Sequence, residues 1–197
     1  MTLPFPTLQV MLAIMLVGET LLMRRRLSAD TSRQADRGSL RLLLVVIAGS
    51  VGAGWLAGRA CPQARFEPLF HLGPTAMASL YAAGIALFVS GLALRWYAVG
   101  YLGRWFTYDV AIAADHRVVD TGPYRLIRHP AYTGSLMAFL GLGLCGGNLV
   151  GLAVLVTPIA LAFLRRIAVE EGALAAALGP AYTAYMGRTR RLVPFVY

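Results

Sequence analysis

The chain alternates between apolar runs and polar segments, in the pattern of a protein that crosses a membrane several times. Three runs reach the length of about 17 to 25 residues that a bilayer requires: Phe5–Met23, Leu40–Gly58 and Ala76–Val99. Two shorter runs, Ala131–Gly147 and Leu149–Leu164, follow each other across a glycine-rich turn. At a rise of about 1.5 Å per residue they barely reach across a bilayer, so we expect a short helical hairpin.

This pattern predicts an all-α integral membrane protein of about five transmembrane helices, the last two a short hairpin, with a cytoplasmic loop and a C-terminal helix. We expect three N-terminal transmembrane helices in residues 1–100 and a cytoplasm-facing region in residues 101–197 that includes the hairpin. Of the chain, 58% is hydrophobic and 14% charged, and the mean hydropathy of +0.64 excludes an ordinary soluble domain. Cys61 and Cys145 stand alone, so no metal site is expected.

The net charge of +9 comes entirely from arginine and predicts the orientation of the chain in the membrane. Arginines are frequent in residues 24–41, 104–128 and 165–191, whereas only Arg59 and Arg65 lie between the second and third runs. Under the positive-inside rule the amino terminus lies outside and the carboxyl terminus in the cytoplasm, and five spans satisfy that parity. The charge therefore follows membrane topology and does not indicate a nucleic-acid partner. Arginine without lysine favours a prokaryotic source, and hence a prokaryotic inner membrane.

Residues 103–130 form the longest polar stretch, and they lead directly into the hairpin. Because this stretch lies on the arginine-rich side, we expect it at the cytoplasmic surface of the membrane. Turn signals divide it, and two short pieces between them, Val110–Ile112 and Arg117–Val119, have the composition of β-strands.

The end of this stretch is a candidate ligand-binding corner. Residues that precede proline avoid the helical region, so we expect His129 to be extended and the helix to begin at Pro130 or Ala131. An exposed helix start offers free N–H groups that suit a carboxylate or another anion. In the alternative interpretation, Arg128 and His129 pair with lipid phosphates and Tyr132 is an ordinary interfacial aromatic.

A second group of charges follows the last apolar run, where Arg165 and Arg166 precede Glu170 and Glu171. Arg166 and Glu170 are four residues apart, so on a continuing helix they share one face. By themselves they fit a solvated surface pair that contributes roughly 0.3 kcal/mol. Ionisable residues near the hydrocarbon boundary are costly, however, and tend to mark functional sites.

Glu19 in the first run and Arg95 in the third are charges inside predicted membrane helices. Each lies near the cytoplasmic end of its run, and Glu19 is about one helical turn from Arg24. We therefore interpret them as side chains that reach toward the membrane surface or pair locally.

Three ordered motifs occupy the C-terminal half: GPYRLIRHPAYTG, then RRIAVEE, then LGPAYTAYMGRTRRLVPF. From about Leu102 to Phe195 the chain resembles the isoprenylcysteine carboxyl methyltransferase family, and more loosely the membrane phospholipid N-methyltransferases. The resemblance implies a methyltransferase that binds S-adenosyl-L-methionine in a cytoplasmic pocket, with an opening toward the lipid for a lipophilic substrate. The sequence has no strand followed by a glycine-rich loop, so helices and one loop would have to form the cofactor pocket.

The resemblance also implies which residues would hold the cofactor and the acceptor. Arg166 would be a catalytic residue that faces the acceptor and holds a substrate carboxylate with its guanidinium. Glu170 would be the other, in contact with the amino group or the ribose hydroxyls of the cofactor. Glu171, Tyr182 and Tyr185 fit the family pattern as supporting residues. The remaining cofactor-binding residues would be His116, Arg117, Val118, Val119, Tyr124, His129, Pro130, Ala131 and Tyr132.

The chemical class of the acceptor stays open at this point. A carboxylate is already anionic, whereas a thiol or an amine must lose a proton, for which His129 or Glu171 would be candidate bases. One alternative is therefore a methyltransferase for phospholipid or small-molecule amines or thiols. A second is an NADPH-dependent membrane sterol-type reductase, which resembles the C-terminal pattern distantly, and a third is a non-enzymatic membrane scaffold or transporter. The expected partners are a lipophilic or lipidated substrate and membrane lipids.

Overall fold

The computed structural model describes residues 5–26, 38–106, 108 and 117–194, which contain helices and connecting segments. The helices of this part are α1 Phe5–Arg26, α2 Ser39–Ala60, α3 Phe66–Leu69, α4 Pro74–Leu102, α5 Pro130–Cys145, α6 Leu149–Leu178 and α7 Pro180–Arg188. Short 3₁₀ turns lie at Pro62–Ala64, Gly103–Trp105 and Gly122–Arg125. Four of the helices, α1, α2, α4 and α6, are long and apolar enough to cross a membrane. The predicted class, an all-α integral membrane protein, is confirmed.

The second arm of the predicted hairpin is longer than its apolar run. The first arm, α5, has 16 residues, but α6 continues past Leu164 to Leu178 and has 30. Residues 165–178 consist mainly of alanine, leucine, arginine and glutamate, whose high helix propensity extends the helix beyond the hydrophobic stretch. The helix ends at Gly179, where a φ of 57° favours glycine. The polar motif RRIAVEE therefore lies on a continuous helix.

Both arms of the hairpin begin with local signals that are visible in the sequence. α5 begins at Pro130, as predicted, after His129 with a non-helical φ of −125° and ψ of 55°. α6 is capped by Asn148, whose side chain accepts a hydrogen bond from Gly151 N at 2.9 Å. The same side chain donates to the Cys61 carbonyl oxygen at 2.8 Å. The turn between the arms is thereby fastened to the end of α2.

Facing glycines allow α4 and α5 to pack with their backbones close together. Gly84 and Gly91 on α4 lie against Gly141 and Gly134 on α5. A Cβ atom added at Gly91 would lie 2.6 Å from both the Gly134 carbonyl oxygen and Ala138 N. Small residues at such contacts are typical of packed membrane helices. This packing fixes α5, and with it the start of the helix, relative to α4.

Gly91→Ala is expected to destabilise the protein by about 1–3 kcal/mol, because backbone atoms surround the added methyl group and only a separation of the helices relieves the overlap. Gly100→Ala is the matched control on the same helix, since Gly100 is exposed and an added Cβ has no neighbour within 4 Å. Alanine is the better helix former there, so this variant should be neutral or slightly more stable. Unfolding in detergent by SDS titration measures both, and equal effects would contradict the packing account.

The predicted β-like pieces are not strands where the structure describes them. Residues 117–120 form neither helix nor strand, and Val110–Ile112 lies outside the described residues. A strand requires a partner for its backbone groups. Among the described residues, bridges of the β type occur only as isolated pairs, Arg65 with Asn148 and Ile127 with Arg190.

Candidate functional site

The buried carboxylate of Glu171 joins the start of α5 to the end of the chain. It accepts a hydrogen bond from Arg128 Nε at 2.7 Å and lies 3.3 Å from His129 Nε2 and 2.8 Å from Arg191 Nη2. The side chains of Glu171 and His129 are 4% exposed, and that of Arg128 is 8% exposed. The interpretation that Arg128 and His129 pair with lipid phosphates is therefore wrong, because both buried side chains contact a carboxylate of the protein instead.

Backbone hydrogen bonds hold the same corner. Arg128 N donates to the Arg190 carbonyl oxygen at 2.7 Å, and His129 N donates to that of Arg191 at 3.0 Å. The Arg128 guanidinium also donates to the Thr189 carbonyl oxygen at 2.5 Å. The segment after α7 thus runs beside the residues that precede α5 and fixes their position.

Tyr132 connects the two predicted groups of site residues. Its phenol donates to Glu170 Oε2 at 2.7 Å and accepts a hydrogen bond from Arg166 Nε at 3.1 Å. Its ring stacks on His129, with 5.5 Å between centroids and 15° between planes, and packs against Phe163 at 5.1 Å. The first turn of α5 and the middle of α6 therefore bring four predicted residues together. We call this set the Tyr132 cluster: His129, Tyr132, Arg166 and Glu170.

Arg166 is buried and hydrogen-bonded to three other parts of the chain. The residue is 3% exposed. Its Nη1 donates to Ser39 Oγ at 2.8 Å, and its Nη2 donates to the Tyr108 carbonyl oxygen. With the bond to Tyr132, these contacts come from α2, from the residues after α4 and from α5. The interpretation of Arg166 as half of a solvated surface pair is therefore wrong.

Arg166 and Tyr132 lie at the polar end of a largely apolar cavity, which encloses about 800 Å³, part of it open to the surroundings. Along α5 its lining residues run from Tyr132 to Phe139, and along α2 from Leu40 to Ile47. Two helical turns correspond to about 10 Å, so the cavity extends roughly that far into the membrane region. Other apolar lining residues are Met15, Leu43, Leu92, Ala138 and Phe163. This lining suits a small lipophilic ligand.

The other predicted cofactor residues lie mostly on the loop before α5. His116 is outside the described residues, Arg117 is exposed, and Val118 and Val119 are half-buried. Tyr124 is buried, and its phenol donates to a carbonyl oxygen of α4 at 3.2 Å. Buried at the first turn of α5 are Pro130 and Ala131. None of the contacts described for these residues tests whether they bind the cofactor, so their cofactor roles stay predictions.

Glu170 lies near several buried phenols. Burial, and after it the Glu170 carboxylate, raise the pKa of Tyr124 and of Tyr182. Burial also raises the pKa of Tyr185, whose phenol donates to the Tyr124 carbonyl oxygen at 2.7 Å. These groups stay protonated at neutral pH and act as hydrogen-bond donors. Tyr185 packs against Tyr182 with 5.8 Å between ring centroids, and the supporting role of both residues stays a prediction.

A partly buried ion pair that the sequence interpretation missed lines the same cavity. Arg95 and Glu19 are 76 residues apart, yet the Arg95 guanidinium binds both carboxylate oxygens of Glu19. The Tyr108 phenol donates to Glu19 Oε2 at 2.7 Å. The interpretation that these charges reach the surface or pair locally is therefore wrong, because opposite charges at one depth neutralise each other inside the protein. The pair could have been predicted from the sequence, because the two opposite charges lie near the cytoplasmic ends of two predicted helices.

The phospholipid methyltransferase family model matches residues 79–181, more than half of the chain. The matched range contains the whole Tyr132 cluster, together with Arg95 and Tyr108. α1 and α2 lie outside it.

Curated relatives match about half of the chain. Protein-S-isoprenylcysteine O-methyltransferase B of Arabidopsis thaliana is 31% identical over 57% of this chain and 58% of that protein. A probable protein-S-isoprenylcysteine O-methyltransferase of Oryza sativa subsp. japonica is 30% identical over 57% of this chain and 60% of that protein. A cobalt-zinc-cadmium resistance protein of Cupriavidus metallidurans is 35% identical over 47% of this chain and 43% of that protein. The chain spans less than two thirds of the length of each of these relatives.

The fold is similar to that of a solved membrane enzyme, the eukaryotic intramembrane Ras methyltransferase called isoprenylcysteine carboxyl methyltransferase. The two structures superpose with a TM-score of 0.64, and the match covers 76% of this chain and 52% of the other. At 24% sequence identity, this likeness shows a shared arrangement of helices.

Proposed function

The chain belongs to the phospholipid methyltransferase family, and from this premise we propose that it is an integral membrane methyltransferase that acts on a lipophilic acceptor. The observation that supports this most is the Tyr132 cluster, in which Tyr132 and Arg166 lie at the polar end of an apolar cavity. Such a cavity fits a substrate with one ionic group and a hydrocarbon part. Because several relatives are isoprenylcysteine O-methyltransferases by name, the carboxylate of an isoprenylcysteine is the first candidate acceptor.

The proposed methyl donor is S-adenosyl-L-methionine, which supplies an electrophilic methyl group on a sulfonium. The half-buried carboxylate of Glu170 suits the hydroxyl and ammonium groups of this cofactor, since a carboxylate accepts hydrogen bonds from both. The buried rings of Tyr124 and Tyr182 add an aromatic surface close to it. The other residues proposed to bind the cofactor are His116, Arg117, Val118, Val119, His129, Pro130, Ala131 and Tyr132.

Arg166 is the residue proposed to hold the acceptor. A guanidinium binds a carboxylate through two parallel hydrogen bonds, and the contacts with Ser39 and Tyr108 fix its orientation. Methyl transfer from a sulfonium is an in-line displacement, so alignment of the acceptor is the main task of the site. The apolar lining of the cavity keeps water away from the acceptor and strengthens its electrostatic contacts.

The ion pairs of Glu171 favour a carboxylate acceptor over an amine or a thiol. An amine or a thiol must lose a proton, for which His129 and Glu171 are the candidate bases. Glu171 contacts two arginines and His129, and these contacts hold the start of α5 in place. Protonation of Glu171 would weaken its pairs with both arginines, whereas a carboxylate acceptor needs no base.

We also propose that the site faces the cytoplasm of a prokaryotic cell, from the inner membrane. Glu19 lies at the carboxyl end of α1, and Ser39 at the amino end of α2, so the two helices run in opposite directions beside the cavity. The arginine-rich segments flank this end of the helices. By the positive-inside rule this end is cytoplasmic, and the amino terminus is then outside.

Thermal denaturation of the detergent-purified protein with S-adenosylhomocysteine tests the cofactor. A ligand that binds only the folded state stabilises it by about 2.7 kcal/mol at 100 times its Kd. We expect saturable stabilisation by S-adenosylhomocysteine that Glu170→Gln removes or weakens, and no response to NADPH. Stabilisation by NADPH alone would favour the sterol-type reductase. A response to neither ligand would favour a scaffold or transporter.

A further inference from the structure

We propose that Glu19 on α1 is a positioning residue of the acceptor site, which sets the orientation of Arg166 through Tyr108. The inference rests on the proposed function, because it concerns the same site. Glu19 lies outside the range that matches the family model, and its carboxylate binds residues inside that range. The N-terminal helices would then contribute to acceptor binding as well as to membrane anchoring.

Tyr108 links Glu19 to Arg166 because two different groups of this one residue make the two contacts. Its phenol donates to Glu19 Oε2 at 2.7 Å, and its carbonyl oxygen accepts a hydrogen bond from Arg166 Nη2. The residue is 8% exposed, and its ring packs edge-on against Phe106 with 5.3 Å between centroids. A change that releases the phenol therefore displaces the carbonyl oxygen that orients the guanidinium.

Arg95 provides a second link, toward α5. Its Nη1 donates to the Ala131 carbonyl oxygen at 3.3 Å, in the helical turn that carries Tyr132. Its Nε and Nη2 bind the two carboxylate oxygens of Glu19. The guanidinium thus contacts the residue next to Tyr132, which is itself a hydrogen-bond partner of Arg166, while Glu19 neutralises the Arg95 charge.

The Trp96 ring of α4 packs against α1 beside Glu19. A Cβ atom added at Gly18 would lie 2.8 Å from this ring, so the Trp96 side chain contacts α1 next to the ion pair. Glu19, Arg95 and Tyr108 all line the cavity that ends at Arg166. The ion pair is therefore placed to act on the acceptor site while the proposed cofactor contact, Glu170, lies on another helix.

Glu19→Gln tests the proposal because it removes the charge and keeps the size of the side chain. We expect the acceptor KM to rise by on the order of 10- to 100-fold, since a displacement of about 1 Å in a positioning group has effects of this size. Tyr108→Phe, which keeps the carbonyl oxygen and removes only the phenol, should have a similar effect. In the double variant Glu19→Gln/Tyr108→Phe the two increases in KM should not add, because both changes act on the same contact between the Tyr108 phenol and the Glu19 carboxylate. The Kd of S-adenosylhomocysteine should stay near that of the unchanged protein.

A further variant separates positioning from a merely structural role. Glu19→Gln/Arg95→Gln restores charge balance but leaves the Tyr108 phenol without its carboxylate partner. If Glu19 only neutralises Arg95, this variant regains the original KM, and the proposal is overturned. Additive effects of Glu19→Gln and Tyr108→Phe, or a lower kcat with unchanged KM, would also overturn it. Failure of the unchanged protein to bind S-adenosylhomocysteine would instead overturn the proposed function, and this inference with it.

Discussion

Arg166→Gln is expected to lower kcat/KM for the acceptor by on the order of 100-fold or more, because it removes a buried charge that is proposed to pair with the acceptor carboxylate. The affinity for S-adenosylhomocysteine should change little, since the proposed cofactor contacts lie on Glu170, on the residues before α5 and on its first turn. A radiolabel methyl-transfer assay gives the first quantity, and titration calorimetry in detergent gives the second.

Two further variants make the Arg166 prediction specific. Arg165→Gln is the matched control, because Arg165 is the exposed neighbour on the same helix and should tolerate the change. Arg166→Lys keeps the charge but cannot form two parallel hydrogen bonds, so it should restore only part of the activity. An equal loss of acceptor turnover and cofactor affinity in Arg166→Gln would contradict the assignment of this residue to the acceptor.

Glu171→Gln is expected to destabilise the protein by about 3–5 kcal/mol, because it leaves the buried Arg128 guanidinium without its carboxylate. The corner before α5 and the segment after α7 would then lose their common partner. SDS titration or thermal denaturation in detergent measures the loss. Activity should fall in proportion to the folded fraction, since the proposed role of Glu171 is to support the site.

Asp120→Asn is the matched ion-pair control for Glu171. The pair of Asp120 with Arg188 is exposed, with 43% and 59% of the two side chains accessible, so its loss should cost about 0–1 kcal/mol. Glu170→Gln is the second control, on the adjacent residue, and should weaken cofactor binding much more than stability. A Glu171→Gln variant as stable as Asp120→Asn would contradict the structural role of Glu171.

The sequence predicted the membrane helices well because hydrophobic runs and proline or glycine signals are local. The start of α5 at Pro130 follows from the restriction that proline imposes on His129. The end of α6 did not follow from hydrophobicity, because residues 165–178 are helical by propensity after the apolar run ends. Helix propensity was therefore the better guide there.

The candidate site was predicted only as separate motifs. Arg166, Glu170 and the residues before α5 were identified by their family motifs, but their meeting at Tyr132 depends on how α5 packs against α6. The pair of Glu19 with Arg95 joins helices that are far apart in sequence, so local patterns could not reveal it. Such contacts depend on the relative rotation and depth of helices, which packing sets.

The proposed methyl transfer is tested most directly with the purified protein in lipid nanodiscs, by following a radiolabelled methyl group from S-adenosyl-L-methionine. The acceptor is an isoprenylcysteine analogue with a free carboxylate, and the control is the same compound with its carboxylate amidated. If the protein methylates the carboxylate of a lipophilic acceptor, radiolabel appears in the organic phase. The label requires the free carboxylate, and it falls strongly in Arg166→Gln. No transfer to this acceptor or to the lipids, from a protein that is folded and binds S-adenosylhomocysteine, would contradict the proposed methyl transfer.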